Sequence, residues 1–182
     1  MKPSVIRDLT RVAMFAALMS VLAYVFLYLP ISPVAVSAQT FGVMLAGLIL
    51  EPKLAALSQV LYILLGALGL PVFAGGASGI GILIGPRGGY LWGFIFGAYV
   101  TAAMSRKEEK AGKPISLPTQ AFASFTGGVI VVYAIGVLQM VIVTELPLRT
   151  AFITGVLPFI PGDLAKVVVV SLLARRLRSA LP

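Results

Sequence analysis

The sequence of 182 residues contains no cysteine and no histidine. Disulfides, thiol nucleophiles and imidazole bases are therefore excluded, together with the commonest protein ligands of zinc and haem. Charged residues are also scarce, at 11%, whereas a soluble domain carries about 25%. An enzyme made from these residues would have to use a dyad such as Ser78 with Lys166, and nothing in the local sequence supports one. We therefore expect no enzyme activity, no metal site and no cofactor.

Apolar sequence is what the chain has in abundance. Hydrophobic residues make up 59% of it and the mean hydropathy is +1.05, values typical of an integral membrane protein. Hydropathy and the positions of proline and glycine predict six helices, near residues 9–29, 39–50, 53–70, 88–104, 119–143 and 162–177, with a short amphipathic turn at 148–157. We predict an all-α membrane protein, a bundle of six transmembrane helices forming a single domain over residues 1–182.

The basic residues predict how this bundle is oriented. A net charge of +8 would suggest nucleic-acid binding in a soluble protein, but in a membrane protein it reflects basic residues that flank the spans on the cytoplasmic side. With six spans, most of the 14 basic residues fall on the side that holds both termini, namely Lys2, Arg7, Arg11, Lys53, Arg106, Lys107, Lys110, Lys113, Arg175, Arg176 and Arg178. Only Arg87, Arg149 and Lys166 fall on the other side. We predict cytoplasmic termini, a multi-pass protein in the lipid bilayer and no nucleic-acid partner.

Residues 69–90, GLPVFAGGASGIGILIGPRGGY, are rich in glycine and interrupt the predicted helices. Irregular backbone at membrane depth is tolerated only where protein covers it or where it lines a cavity. We therefore predict a re-entrant outer loop that caps or lines a pocket. The alternative is that the glycines only let helices pack closely. A phosphate-binding loop is excluded because the Lys-Ser/Thr pair of that motif is missing.

Asp163 and Lys166 form an ionisable pair at the outer start of the last predicted helix, beside a run of four valines. Residues three apart share one face of a helix, so both side chains can reach one ligand or each other. A charge in lipid costs about 2.5–3.5 kcal/mol unless it faces a polar cavity. The pair therefore predicts a ligand site, with an interfacial ion pair in which Lys166 extends outward as the alternative.

Several other residues have two interpretations each. Arg87 could bind an anionic ligand group or contact lipid headgroups, and Gln39 could hydrogen-bond a ligand or cap the second helix. Tyr90 lies where an aromatic belt is expected, so it is a membrane anchor or a residue that stacks on a ligand. Ala13 and Ala17 form a small-residue stripe that lets another helix approach closely, within the bundle or from a second protein.

Four blocks, in this order along the chain, resemble the BioY family, the biotin-binding S components of energy-coupling-factor (ECF) vitamin transporters. They are residues 30–34 (PISPV) with 39–47 (QTFGVMLAG), 69–73 (GLPVF), 85–90 (GPRGGY) and 161–166 (PGDLAK). The resemblance implies a six-helix bundle in a prokaryotic plasma membrane that holds one biotin near its outer face. It also implies docking, through the stripe of Ala13 and Ala17, to a transmembrane T subunit driven by a pair of ABC ATPases.

The resemblance implies which groups of biotin the candidate residues contact. Asp163 is expected to accept a hydrogen bond from a ureido N–H of biotin while Lys166 donates to the ligand, although the two ligand ends could be reversed. Arg87, or a backbone amide of the loop, would meet the biotin carboxylate. The full predicted ligand-binding set is Asp163, Lys166, Arg87, Gln39, Gly75, Gly76 and Tyr90. The competing hypothesis is a membrane scaffold or assembly protein without a small-molecule ligand.

Overall fold

The computed structural model describes residues 3–27, 30, 34–112 and 114–180, and this part of the chain is mostly helical. The helices are α1 (Pro3–Leu22), α2 (Gln39–Ile49), α3 (Pro52–Ala67), α4 (Ile80–Ile84), α5 (Gly88–Ser105), α6 (Lys107–Lys110), α7 (Leu117–Phe125), α8 (Val132–Thr144), α9 (Leu148–Gly155) and α10 (Ile160–Ala180). A π-helical segment, Thr126–Val131, joins α7 to α8 without a break. Lys2, Lys113 and residues 31–33, which the sequence analysis used, lie outside the described residues.

The five later predicted helices match α2, α3, α5, the continuous helix Leu117–Thr144 and α10 to within three residues at each end, but the prediction for the first helix was wrong. It was predicted near residues 9–29, whereas α1 spans Pro3–Leu22 and the chain then continues into strand β1 (Phe26–Leu27). This strand pairs antiparallel with β2 (Val36–Ser37), and the Ala38 amide extends the pairing by donating to the Val25 carbonyl at 2.9 Å. The backbone of this apolar segment is satisfied by a partner strand instead of by a helix.

One continuous helix, Leu117–Thr144, is long and apolar enough to cross a membrane within the described part of the chain. A second segment meets the same test if α9 and Ile160–Arg178, bent by 52° at their junction, are taken as one span. Helices α2 and α3 are apolar but shorter. At 1.5 Å per residue the 11 residues of α2 cover about half of a hydrocarbon core of about 30 Å. The count of six spans therefore stays a prediction.

Helix α5 lies in the middle of the bundle and packs against α2, α3 and α8. Its glycines permit backbone-to-backbone contact, since a Cβ at Gly93 would lie 2.9 Å from the Val132 Cα and one at Gly97 would lie 2.7 Å from the Gly127 carbonyl oxygen. Small residues commonly serve this purpose between membrane helices. Helix α10 packs against α2 and α7, which brings the start of α10 beside the start of α2.

Two arginines hold the opposite end of α2. Arg106 donates to the Leu50 carbonyl at 2.6 Å, and Arg178 donates through Nε to the Leu48 carbonyl at 2.8 Å. The last carbonyls of a helix have no partner within it, and cations are favourable there. Burial lowers the pKa of Arg106 from its ordinary value, and Glu109, 3.5 Å from its Nε, opposes that shift. We call Arg106 and Arg178 the arginine clamp.

Candidate ligand-binding site

A mostly apolar cavity lies where the starts of α2 and α10 meet the middle of the bundle. Its wall is formed by β2, α2, the loop after α3, α4, α5, α8 and α10. Most lining residues are aliphatic or aromatic. Among the residues that the structure describes, the polar side chains in the wall are Ser37, Gln39, Thr40, Arg87, Tyr90, Tyr133, Asp163 and Lys166. Five of these were predicted from the sequence as site residues, and the fold brings them together from three helices and one loop end.

Asp163 and Lys166 form the charged centre of this cavity. The Asp163 side chain is 2% exposed, and its Oδ1 lies 2.8 Å from the Lys166 Nζ. Asp163 is in the first turn of α10, where the helix dipole stabilises a carboxylate. The Lys166 side chain is 20% exposed, so it is folded back against the protein and does not extend outward. The structure therefore places the pair in a cavity wall rather than at a lipid-facing surface.

Thr40 and Tyr133 also hydrogen-bond to Asp163, and neither was predicted from the sequence as a site residue. The Thr40 hydroxyl donates to Asp163 Oδ1 at 2.8 Å, and the Tyr133 hydroxyl donates to Asp163 Oδ2. The sequence signal for each is a hydroxyl group within an apolar helix, in α2 for Thr40 and in α8 for Tyr133. The carboxylate thus accepts hydrogen bonds from three different side chains.

Lys166 is equally well satisfied by the protein. Its ammonium group donates to Asp163 Oδ1, to the Thr40 hydroxyl at 3.0 Å and to the Ser37 carbonyl oxygen at 2.6 Å. An ammonium group has three N–H donors, so all three are used. Because Ser37 belongs to β2, Lys166 also ties α10 to the strand pair that follows α1.

Aromatic rings form one wall of the cavity. The Tyr133 ring stacks on Phe159 at a centroid distance of 6.2 Å and meets Tyr90 edge-on at 6.1 Å. The Tyr90 hydroxyl donates to the Gly155 carbonyl at 2.9 Å, which connects α5 to α9. Tyr90 is 6% exposed and lines the cavity, so its place is unlike that of a membrane anchor. An aromatic wall of this kind suits a flat, compact apolar ligand.

Gln39 connects β2 to the loop that follows α3. Its side-chain carbonyl accepts from the Ser37 hydroxyl at 3.0 Å, and its amide nitrogen donates to the Tyr62 hydroxyl. Tyr62 in turn donates to the Val72 carbonyl at 3.0 Å. Next to Val72, Phe73 is 2% exposed, lines the cavity and meets the Tyr62 ring edge-on. Gln39 therefore lines the site, and its side-chain amide serves to hold the loop that carries Phe73.

Gly75 and Gly76 form the tip of this loop. Both have positive φ angles, 77° and 73°, which glycine adopts without strain. The Gly76 amide donates to the Phe73 carbonyl at 2.9 Å, and the Phe73 amide donates to the Ala77 carbonyl at 3.0 Å. The cavity is lined by Ala74 and Ala77 on either side of the tip, but not by the two glycines. The Gly76 amide is therefore engaged in the turn itself.

The remaining selected residues are Arg87, Ser78, Ala13 and Ala17. Arg87 immediately precedes α5, is half-buried and lines the cavity. Ser78 does not line the cavity that Lys166 lines, so the geometry does not support a Ser-Lys dyad. Ala13 and Ala17 are exposed on α1, whereas Ala16 between them is buried against the bundle. The small residues of α1 thus divide into a face used inside the bundle and a face that is open.

Comparison with known proteins agrees with this architecture. The family model described as "BioY family" matches residues 1–182. A biotin transporter BioY of Rhizobium etli is 40% identical, covering 97% of this chain and 95% of that protein, and one of Thermotoga maritima is 38% identical, covering 94% and 96%. The crystal structure of an S-component for biotin from an ECF-type ABC transporter superposes with a TM-score of 0.89 at 29% identity, covering 98% of this chain and 94% of that chain. These relatives are transport proteins and not enzymes. The chain therefore belongs to the BioY family.

Proposed function

We propose that this protein captures biotin in the membrane as the substrate-binding S subunit of an ECF-type vitamin transporter. The observation that carries the proposal is the Asp163–Lys166 pair, desolvated at the edge of a cavity whose other walls are aliphatic and aromatic. Biotin matches the apolar walls because its bicycle is compact and apolar. It matches the ion pair because its ureido group offers two hydrogen-bond donors and one acceptor. The names of the relatives of this chain support the same ligand.

The contacts suggest how each polar group would be used. Asp163 accepts from a ureido N–H of biotin, and Lys166 donates to the ureido oxygen. Because the three donors of Lys166 already have partners in the protein, a ligand oxygen replaces one of them. Arg87 is the side chain we assign to the biotin carboxylate, since the Gly76 amide is engaged within its own turn.

Comparing biotin with a carboxyl-amidated biotin distinguishes a contact between Arg87 and the biotin carboxylate from a general loss of fit. We expect Arg87→Ala to weaken the binding of biotin but not that of a carboxyl-amidated biotin, because only the carboxylate pairs with a guanidinium. Isothermal titration of both ligands against both proteins measures this. Equal losses for the two ligands would remove Arg87 from the carboxylate contact.

We also propose six spans with both termini in the cytoplasm of a prokaryotic cell. The 28-residue apolar helix supports a transmembrane orientation of the bundle. The arginine clamp lies at one end of α2 and the cavity at the other, so the basic end and the ligand site are on opposite sides. Basic residues mark the cytoplasmic side, and the cavity therefore faces outward. Cysteine variants near Arg106 and near Glu145, labelled with an impermeant reagent in intact cells, test this orientation.

The partners we propose are a transmembrane T subunit and two ABC ATPases, which dock at the open face of α1. Ala17 is exposed, and a large side chain there would keep another helix at a distance. Ala17→Leu should therefore abolish co-purification with the T subunit and leave biotin binding unchanged. Ala165→Leu, on an exposed position of α10, is the matched control. Retained co-purification in Ala17→Leu would place the docking surface elsewhere.

The decisive test of the ligand is the free energy of unfolding of the detergent-purified protein with and without biotin. A ligand present at 100 times its dissociation constant stabilises the protein by about 2.7 kcal/mol. Thiamine and riboflavin serve as controls, and neither should stabilise the protein. If folded protein is not stabilised by biotin, the proposal fails and the hypothesis of a membrane scaffold returns.

A further inference from the structure

A second cavity lies at the end of the molecule opposite to the ligand site. It is bounded by residues 114–118, by the start of α7 and by the last turns of α10. Leu117, the first residue of the 28-residue apolar helix, lines it. A cavity at the end of a spanning helix lies at the level of the lipid headgroups. Arg178, a residue of the arginine clamp, also lines the cavity, so the cavity lies at the basic end of the bundle.

Two guanidinium groups face this cavity from one helix. Arg175 and Arg178 are three residues apart on α10 and therefore share a helix face. Arg178 is held through Nε on the Leu48 carbonyl, and its Nη1 lies 4.0 Å from a carboxylate oxygen of Glu109. Arg175 is exposed and makes no hydrogen bond or ion pair with any residue that the structure describes. One arginine is thus fixed in position, and the other is available to a ligand.

The start of α7 does not itself provide the anion site. The Ser116 amide donates to the Glu108 carboxylate at 2.6 Å, and the hydroxyls of Ser116 and Thr119 donate to the same carboxylate. A side-chain anion therefore already caps this helix end. Among the described residues that line the cavity, Arg175 and Arg178 are the cations that can attract an external anion.

Apart from Ser116 and Gln120, the rest of the described wall is apolar or acidic. Ile115, Leu117 and Pro118 provide apolar surface beside the guanidinium groups, and Glu109 adds one carboxylate. This combination matches a phosphodiester attached to a hydrocarbon chain and carrying a hydrogen-bond donor on its other side. Arginine pairs are the usual partners of phosphate, and basic cavities on the cytoplasmic side bind lipid headgroups.

We propose that this cavity binds the headgroup of a membrane phospholipid, with its phosphate on Arg175 and Arg178 and a donor group of the headgroup on Glu109. Glycerol and ethanolamine headgroups carry such a donor, whereas choline has neither N–H nor O–H. The site therefore prefers phosphatidylglycerol and phosphatidylethanolamine to phosphatidylcholine. Loss of one hydrogen bond to a charged group corresponds to about a tenfold change in affinity.

The experiment is native mass spectrometry of the purified full-length protein titrated with each of the three lipids in detergent. We expect phosphatidylglycerol and phosphatidylethanolamine to bind about tenfold more tightly than phosphatidylcholine, and Arg175→Gln to weaken their binding by about tenfold. Arg149→Gln replaces an exposed arginine of α9, which does not line this cavity, and should change nothing. Arg178 is not the residue to replace, because it also caps α2.

Two further ligands identify the source of the phosphate. Soluble glycerol 3-phosphate should bind far more weakly than the lipids, and binding as tight as that of phosphatidylglycerol would indicate a site for a free phosphate ester and overturn the proposal. Diacylglycerol binding as tight as that of the phospholipids, or Arg175→Gln binding like the wild type, would overturn it too. Biotin stabilisation, measured on the same samples, should survive Arg175→Gln, so failure here is distinguishable from failure of the proposed transport function.

Discussion

Replacing Asp163 by Asn tests whether the charged centre of the cavity is desolvated. The change preserves the size of the side chain and its ability to accept from Thr40, but it removes the counter-ion of Lys166. Removing one partner of a buried ion pair costs about 3–5 kcal/mol, because the other charge stays buried without compensation. The Lys166 side chain is 20% exposed and its ammonium group retains the Ser37 carbonyl, so we expect the lower end, about 3 kcal/mol.

A double variant provides the control for this prediction. Asp163→Asn together with Lys166→Gln removes both charges and leaves two groups that can still hydrogen-bond. We expect it to recover more than half of the stability that the single variant loses, because a neutral pair has no buried charge to compensate. Both variants should bind biotin weakly, since both lack the carboxylate. The double variant should therefore regain stability without regaining biotin binding.

Denaturant titration of the detergent-purified proteins measures the free energies of unfolding, and the double-mutant cycle isolates the interaction between the two side chains. An Asp163→Asn protein as stable as the wild type would refute the idea that the pair is desolvated. So would a double variant that is less stable than the single one.

Two other predictions concern residues that support the site. Tyr133→Phe keeps the stacked ring but removes a hydrogen-bond donor to the buried Asp163 carboxylate. The free energy of unfolding, measured by denaturant titration, should therefore fall by about 1.5–3 kcal/mol. Unchanged stability would contradict the hydrogen bond. Gly66→Ala would place a methyl group on the Phe73 ring, and forcing that ring towards the cavity should weaken biotin binding about tenfold by isothermal titration. Gly81→Ala, which meets open space, should bind biotin like the wild type, and equal losses in both variants would show that the effect does not come through Phe73.

Much of the helical structure could be predicted because local chemistry determines it. Helix α3 begins at Pro52, a residue suited to the first turn, and α2 ends just before it. The β1–β2 pair could not be predicted in this way. Hydropathy does not distinguish an apolar strand from an apolar helix in a short segment, and Phe26 pairs with a residue eleven positions away, Ser37, which local sequence does not determine.

The candidate site shows the same division between local and long-range information. The spacing of Asp163 and Lys166 predicts that they share a helix face, and the structure brings them to 2.8 Å. Thr40 lies 123 residues away from Asp163 and Tyr133 lies 30 residues away, so their hydrogen bonds arise only from tertiary packing. Composition indicated a glycine-rich loop, but only its turn geometry shows that the Gly76 amide is engaged.

The contacts between α2 and α10 have a mechanical consequence. The two helices are fastened at two points, through Thr40 and Asp163 at one end and through Leu48 and Arg178 at the other. Two separated contacts oppose sliding or pivoting of one helix along the other, so we expect the pair to move as one unit. We therefore expect access to the cavity to come from displacement of the β1–β2 pair and the loop carrying Phe73, which pack on this helix pair, rather than from separation of the helices themselves.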